Sequence, residues 1–368
     1  MNICIRSIAG IALTLSLTAQ AQILIGQTVG VTGSVAATVG EAAQGASLVF
    51  DRVNATGGIK GQKIELAILD DRFDVKQTVE NTRVLIEEKD VIALFMSRGT
   101  PNTEAMMPLL EKHHVALVGP SSGAKVLHAP VNPFIFNVRS PYQRETEKAV
   151  THLATLGMTR IAVVHADDSF GLDALEGVNK GFAKAQLQPL AVLKADRTKP
   201  DYSTIVPPIV DRRAQAVVWI GSGTAVANGI LALRAAGSQA QVVTLSNNAS
   251  SGFIKSLGDS SRGVIVTQVF PFERAAGYPF VQEALVLAKA KGMDGVSPAM
   301  LEGFAAAKVM VEALRLASPK PTREKVLAAL NKMNKFNLGG LTISYGPDHH
   351  SGLDFADLSI ISDGRFKR

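Results

Sequence analysis

The 368-residue chain contains one cysteine, Cys4. A single thiol rules out a disulfide framework and any cysteine-built metal site. Aromatic residues make up only 5% of the chain, which leaves few flat faces on which nucleic-acid bases could stack. The formal charge of +6 is spread thinly. No run of five or six like charges marks a polyanion-binding tail. Beyond the N-terminus, no stretch stays apolar for the roughly 20 residues that a membrane-spanning helix needs. The Gly30–Gly40 loop is glycine-rich, but it lacks the G-x-G-x-x-G spacing, and the chain has no G-x-x-x-x-G-K-[ST]. Ser121 and Ser122 lack the G-x-S-x-G context of a hydrolase nucleophile. His113-His114 and His349-His350 are adjacent pairs, so they cannot share a helix face as i, i+4 metal ligands do; they are read as surface or turn residues. Asp70-Asp71 and Asp167-Asp168 end predicted strands and read as helix caps or polar cleft lining. No cofactor, metal, nucleic acid or catalytic constellation is expected.

What is present begins with a leader. Arg6 is followed by the apolar run Ile8–Leu17 and then by Ala19-Gln20-Ala21. A short positive segment, a run too short to span a bilayer and small residues at the cleavage positions form a secretory signal peptide. Cleavage after Ala21 would leave a mature chain free of cysteine, as suits an oxidising compartment.

The remaining length accommodates two domains. Short apolar runs alternate with amphipathic stretches. Strands are predicted at 23–29, 63–69, 91–96 and 115–118, with helices at 41–54, 75–88 and 101–112 between them. After a strand at 134–138 and a helix at 142–156 the rhythm restarts. Strands at 160–165, 188–193, 216–220 and 241–245 are separated by helices at 171–185, 202–211 and 224–236. A helix at 250–257 and a strand at 263–269 lead into helices at 280–291, 298–317 and 322–333. Late strands follow at 341–345 and 355–361. Strands apolar on both faces, alternating with helices, indicate parallel sheets covered by helices. The fold class is α/β, with two doubly wound Rossmann-like lobes.

Gly26–Gly40 (GQTVGVTGSVAATVG) is similar to the first strand and ligand-side loop of the leucine/isoleucine/valine-binding-protein family of periplasmic receptors. Residues 54–61 (NATGGIKG) resemble its sharp helix-to-strand turn, and Asp70, Asp71 and Asp74 its acidic strand end. Ser97–Leu110 with Gly119–Gly123 looks like the two ligand-holding loops of its first lobe. Arg160–Gly171 (RIAVVHADDSFG) looks like the opening of its second lobe, and Asp201–Thr204 like a helix start there. Each is weak alone; in this order they are specific for the family. The resemblance implies a type I periplasmic-binding-protein fold with hinge crossovers. It divides the chain into lobe 1 (22–140 plus 270–346) and lobe 2 (141–269 plus 347–368). It also implies a monomeric, periplasmic receptor that hands a small ligand to an inner-membrane ABC permease. An extracytoplasmic sensor of the same fold is the alternative.

Ligands on open α/β sheets bind beyond the carboxyl ends of the strands. Thr100-Pro101 reads as a helix start, where free N–H groups favour an anion. Ser121 and Ser122 add hydroxyls, and Gly123 would let a ligand approach the backbone. The family holds the carboxylate and ammonium of an amino acid at the corresponding positions, so Thr100, Ser121 and Gly123 are the expected contacts; alternatively, Thr100 and Ser121 only cap turns. Phe170 either covers an apolar ligand group or belongs to a core. Ser222, Ser246 and Asn247 belong to the second jaw. At Ser222 and Ser246-Asn247 this chain departs from the family, lacking its aromatic and its acidic residue. Arg98 reads as a solvated surface arginine, since most arginines are exposed; turned inward, it would suit a ligand carboxylate.

Overall fold

The structure is a computed structural model that describes residues 22–368. The expected leader at 1–21 lies outside the described residues.

The first sheet is built from β1 (Ile23–Val29), β2 (Ile64–Asp70), β3 (Leu94–Phe95), β4 (Leu117–Val118) and β5 (Ile135–Phe136). Its order is β2-β1-β3-β4-β5, and every pairing is parallel. The last three strands are only two residues long, yet all six residues are almost fully buried. Between the strands run α1 (Ala36–Ala55), α2 (Val75–Arg83) and α3 (Thr100–His113). Asp74 caps α2 by accepting from the Gln77 N–H at 2.8 Å. The αL residue His114 (φ 51°) ends α3.

The chain then leaves for a second sheet through α4 (Tyr142–Thr155). That sheet contains β6 (Ile161–Ala166), β7 (Ala191–Ala195), β8 (Ala216–Ile220), β9 (Gln241–Thr244) and β10 (Ile265–Gln268). The helices α5 (Ser169–Ala185), α6 (Tyr202–Asp211), α7 (Gly223–Ala235) and α8 (Ser251–Leu257) connect them. Asp168, Asp201 and Ser250 cap α5, α6 and α8 through side-chain oxygens. The chain then returns to cover the first sheet with α9 (Pro279–Ala290), α10 (Pro298–Leu316) and α11 (Arg323–Asn331). A small antiparallel ribbon follows, β11 (Phe336–Asn337) with β12 (Thr342–Ile343). The chain finally rejoins the second sheet with β13 (Asp357–Ser362) and β14 (Arg365–Lys367), giving the order β14-β13-β10-β9-β8-β6-β7.

The second sheet is therefore mostly parallel, with an antiparallel pair at one edge. Neither β11 nor β14 is among the predicted strands. β14 exists because Asp363 and Gly364 both take positive φ, 54° and 69°, which turns β13 back on itself in a two-residue hairpin. The histidine expectation also needs correction. His350 is buried, stacked on Phe136 at 4.1 Å, with Nδ1 3.0 Å from the Asn132 and Ile135 carbonyls. It holds a loop to the first lobe rather than facing solvent.

α1 and α10 pack against each other in the core of the first sheet. A Cβ on Gly45 would lie 1.9 Å from the Met300 carbonyl oxygen, and one on Gly303 would lie 1.9 Å from that of Ala42. The helices touch backbone to backbone at these points, where no methyl group fits. Gly45→Ala and Gly303→Ala should each destabilise the fold by about 1–3 kcal/mol, the usual cost of overpacking. Urea unfolding followed by circular dichroism measures this; a midpoint unchanged in both variants would contradict the packing.

Candidate functional site

The carboxyl ends of β3 and β4 lie side by side. Beyond them the two loops stay zipped together. Arg98 and Ser121 form a parallel bridge, and the Ser121 N–H donates to the Ser97 carbonyl at 2.8 Å. Gly99 takes φ 92°, turning the chain sharply into α3. Thr100 opens that helix, and its hydroxyl lies 2.8 Å from that of Ser122. The Ser122 oxygen in turn receives the Ala124 N–H at 3.4 Å. These two hydroxyls tie the loops to each other.

Arg98 is not a surface arginine. It is 3% exposed and points between the lobes. It donates through one terminal nitrogen to the Ser121 hydroxyl at 3.2 Å and through the other to the Asn247 carbonyl at 2.6 Å. The first partner belongs to the first lobe and the second to the second, so one guanidinium spans the cleft. Among the described residues no carboxylate is in contact with it. Burial pulls its pKa down, the fields of Tyr142 and Glu302 oppose that, and Arg139 adds to it.

The second jaw is the turn after β9. The Asn247 amide donates to the Gly221 carbonyl at 3.0 Å and to the Ser222 hydroxyl at 2.8 Å, which fixes its orientation. The neighbouring Ser246 meets a second buried arginine that sequence reasoning missed. Arg139, at the end of the first lobe's sheet, donates to the Ser246 hydroxyl at 2.6 Å and to Glu145 at 2.5 Å, and lies 3.5 Å from Glu302. Glu145 also accepts from the Ser246 N–H at 3.1 Å and from the Thr267 hydroxyl. Burial opposes the charge of Arg139, but Glu302, Tyr142 and Glu145 outweigh it and hold its pKa above the ordinary value. The pairing cannot be read from sequence, because its partners come from three separate segments of the chain.

Two expected contacts lie elsewhere. Gly123 packs on the crossover: its carbonyl accepts from the Tyr142 N–H at 2.7 Å, and a Cβ there would lie 2.6 Å from the Ser140 oxygen. Phe170 is in the second lobe's core, 4.7 Å from the Tyr142 ring.

The lobes also meet around the cleft. Thr38 and Ser250 hydroxyls are 3.1 Å apart, and the Thr224 N–H donates to the Ser34 carbonyl at 3.0 Å. Glu41 accepts from the Ser251 and Gly252 N–H groups at 3.0 and 2.8 Å. In a separate patch, Arg197 lies over the Phe73 ring at 3.7 Å, bonds Asn102 and faces Asp168 at 3.6 Å; Ser169 bonds Glu104. The conformation is closed. Beside Arg98, and lined entirely by first-lobe residues, is a void of about 20 Å³, room for about one water, bounded on its polar side by Gln27, Thr38, Ser97, Arg98 and Ser121. Wider grooves exist, such as one of about 400 Å³ between α1 and β2, but they open to solvent and contain no buried charge.

Two α/β lobes linked by several crossovers, with loops converging on a buried cation between them, define a two-lobed ligand-binding protein. The chain belongs to the periplasmic binding protein family, whose pattern matches residues 22–359. It is 24% identical to the Leu/Ile/Val-binding protein homolog 3 of Brucella melitensis, across 99% of both chains. A substrate-binding periplasmic protein from Ralstonia solanacearum is 32% identical and superposes with a TM-score of 0.83, over 92% of this chain and 97% of that one. A branched-chain amino acid ABC transporter protein from Thermus thermophilus, with bound valine, shares the fold at a TM-score of 0.82 and 18% identity over 95% of each chain.

Removing Arg139 would leave Glu145 buried without its cation. Arg139→Met should therefore cost about 3–5 kcal/mol, and adding Glu145→Gln should recover part of that loss. Chemical denaturation of the single and double variants is the check. Equal stability of Arg139→Met and the parent would show that the pair is not structural.

Proposed function

We propose that this chain is the exported substrate-binding protein of an ABC importer and that it captures a small carboxylate-bearing ligand by closing two lobes. The lobes are 22–140 with 270–346 and 141–269 with 347–368, joined by crossovers at the ends of β5, β10 and β12. The observation that carries this reading is Arg98: a buried guanidinium with no carboxylate beside it, at the junction of both jaws.

A guanidinium offers five N–H donors in a flat fork matched to a carboxylate. Ser121 and Asn247 take two of them. A ligand carboxylate would supply the missing counter-charge, with the Ser121 hydroxyl as a second donor. Thr100 and Ser122 hold the loops in register, while Ser222, Ser246 and Asn247 form the roof. Gly123 and Phe170 act through packing. The ligand touches both jaws only when they are closed, so it stabilises the closed state by that difference in contacts. The closed monomer is then the form read by an inner-membrane permease, and the leader at 1–21 delivers the chain to the periplasm. Support comes also from the printed names of relatives, a Leu/Ile/Val-binding homologue and a valine-bound receptor.

The test is a thermal-shift screen of the ligand-stripped protein against the twenty amino acids and a panel of small carboxylic acids, repeated with Arg98→Met. Charge-assisted hydrogen bonds contribute roughly 1.5–3 kcal/mol each, so the variant should lose its ligand response while keeping its fold. Ser121→Ala, which removes one hydroxyl donor to the carboxylate, should weaken binding by about 1.5–3 kcal/mol on the same basis. Undiminished stabilisation of Arg98→Met by the same compound would place the ligand elsewhere.

A further inference from the structure

We infer that Arg197 is the latch of the closed state: a second-lobe guanidinium that docks in a socket prebuilt on the first lobe and holds the two together. It is a positioning residue and not a ligand contact. This rests on the reading of the chain as a receptor that closes two lobes, and it names the residue that keeps them shut.

The socket is fixed by first-lobe bonds alone. Arg72 and Phe73 both take positive φ, 53° and 62°. Two such residues in a row, neither of them glycine, are held against their backbone preference. Asp70 and the fully buried Asp71 hold them, accepting the Arg72 and Phe73 N–H groups at 2.9 and 2.8 Å. The Phe73 ring packs with Val29, Val35 and Val39 and turns a face to Arg197, whose guanidinium carbon lies 3.7 Å from the ring centre. Asn102, fully buried in the first turn of α3, donates through its amide nitrogen to the Thr78 hydroxyl at 2.7 Å. That bond aims the amide oxygen at Arg197, which donates to it. Gly99 leaves the space: a Cβ there would lie 2.6 Å from an Arg197 terminal nitrogen and 2.7 Å from the Phe73 ring.

Arg197 is likewise set in advance. It follows β7 in a loop that Asp196 pins by accepting the Thr198 and Lys199 N–H groups at 2.9 and 2.7 Å. Asp168 of the same lobe faces it at 3.6 Å. Parting the lobes would leave Arg197 with Asp168; closing them adds the Phe73 face and the Asn102 oxygen. Contacts made in one state only favour that state. Because both halves are preorganised, little ordering cost is set against them. Beside the socket the Ser169 hydroxyl donates to Glu104, joining α5 to α3. The latch therefore slows opening, and with it the release of whatever is enclosed.

Hydrogen–deuterium exchange of the purified protein, read by mass spectrometry on overlapping peptides, tests this with no ligand added. The Thr224, Ser251 and Gly252 N–H groups donate across the cleft, to Ser34 and Glu41, so they exchange when the lobes part. The amides of β8 are buried within the second sheet and report unfolding. Arg197→Met should speed exchange at the three cross-cleft amides by about tenfold, the worth of a cation–π contact with a charge-assisted hydrogen bond, and leave β8 unchanged. Phe73→Leu, on the opposite lobe, should speed the same amides, and the double variant should exceed Arg197→Met by no more than about twofold, because the two residues act through one contact. Unchanged exchange in Arg197→Met, equal acceleration in β8, or multiplied effects in the double variant overturns the inference. So does free exchange of the three amides in the parent, which would mean that the lobes stand open. None of these outcomes bears on Arg98, whose ligand response is read separately by thermal shift, so the two readings fail independently.

Discussion

A guanidinium taken out of water must be given acceptors or the fold loses several kcal/mol. Two arginines impose that demand where the lobes meet. Arg139 has its counter-charge within the protein, from Glu145 and the more distant Glu302, with Ser246 beside them, although its Nε is left without a partner. Arg98 satisfies the demand only partly, with one hydroxyl and one carbonyl from opposite jaws. The first arginine is part of the hinge and is settled within the chain. The second depends on closure for its Asn247 bond and still has donors to spare. This difference is why Arg139 reads as structural and why the proposed function assigns the ligand carboxylate to Arg98.

The rest of the architecture serves that junction. Short, fully buried parallel strands bring the Ser97–Thr100 and Gly119–Gly123 loops side by side. Backbone contact between α1 and α10 locks together two helices of the first sheet's core. The rim contacts, Thr38 with Ser250, Glu41 with the start of α8, and Arg197 with Phe73 and Asn102, are polar or cation–π. Polar rim contacts of this kind are individually modest and can exchange with water. A hinged receptor needs such a rim, because a large apolar seam would hold it shut.

Most of the fold was legible because strands and helices here obey their periods. Ile161–Ala166 and Ala216–Ile220 are buried throughout, as continuous apolar runs in a parallel sheet should be. β14 was missed although its turn signal, Asp363-Gly364, stands in the sequence; its strand is three residues long and carries two cations. The site was less legible. Hydroxyls at Thr100, Ser121 and Ser122 could be placed by their position after strands. The inward turn of Arg98 could not, because exposure is the ordinary state of arginine, and the roof that buries Arg98 arrives 149 residues later in the chain. Arg139 and Glu145 carried no local signal, since their meaning lies in Ser246, Thr267 and Glu302, all distant in sequence. Gly123 looked like room for a ligand and is instead room for the crossover.

The central claim is that a carboxylate on Arg98 is what the closed lobes recognise. Native mass spectrometry of the protein purified without unfolding tests it most directly. The account predicts one small acid bound per chain, released on denaturation and absent from Arg98→Met prepared in the same way. A bound molecule with no acidic group, or an acid retained undiminished in Arg98→Met, would contradict it.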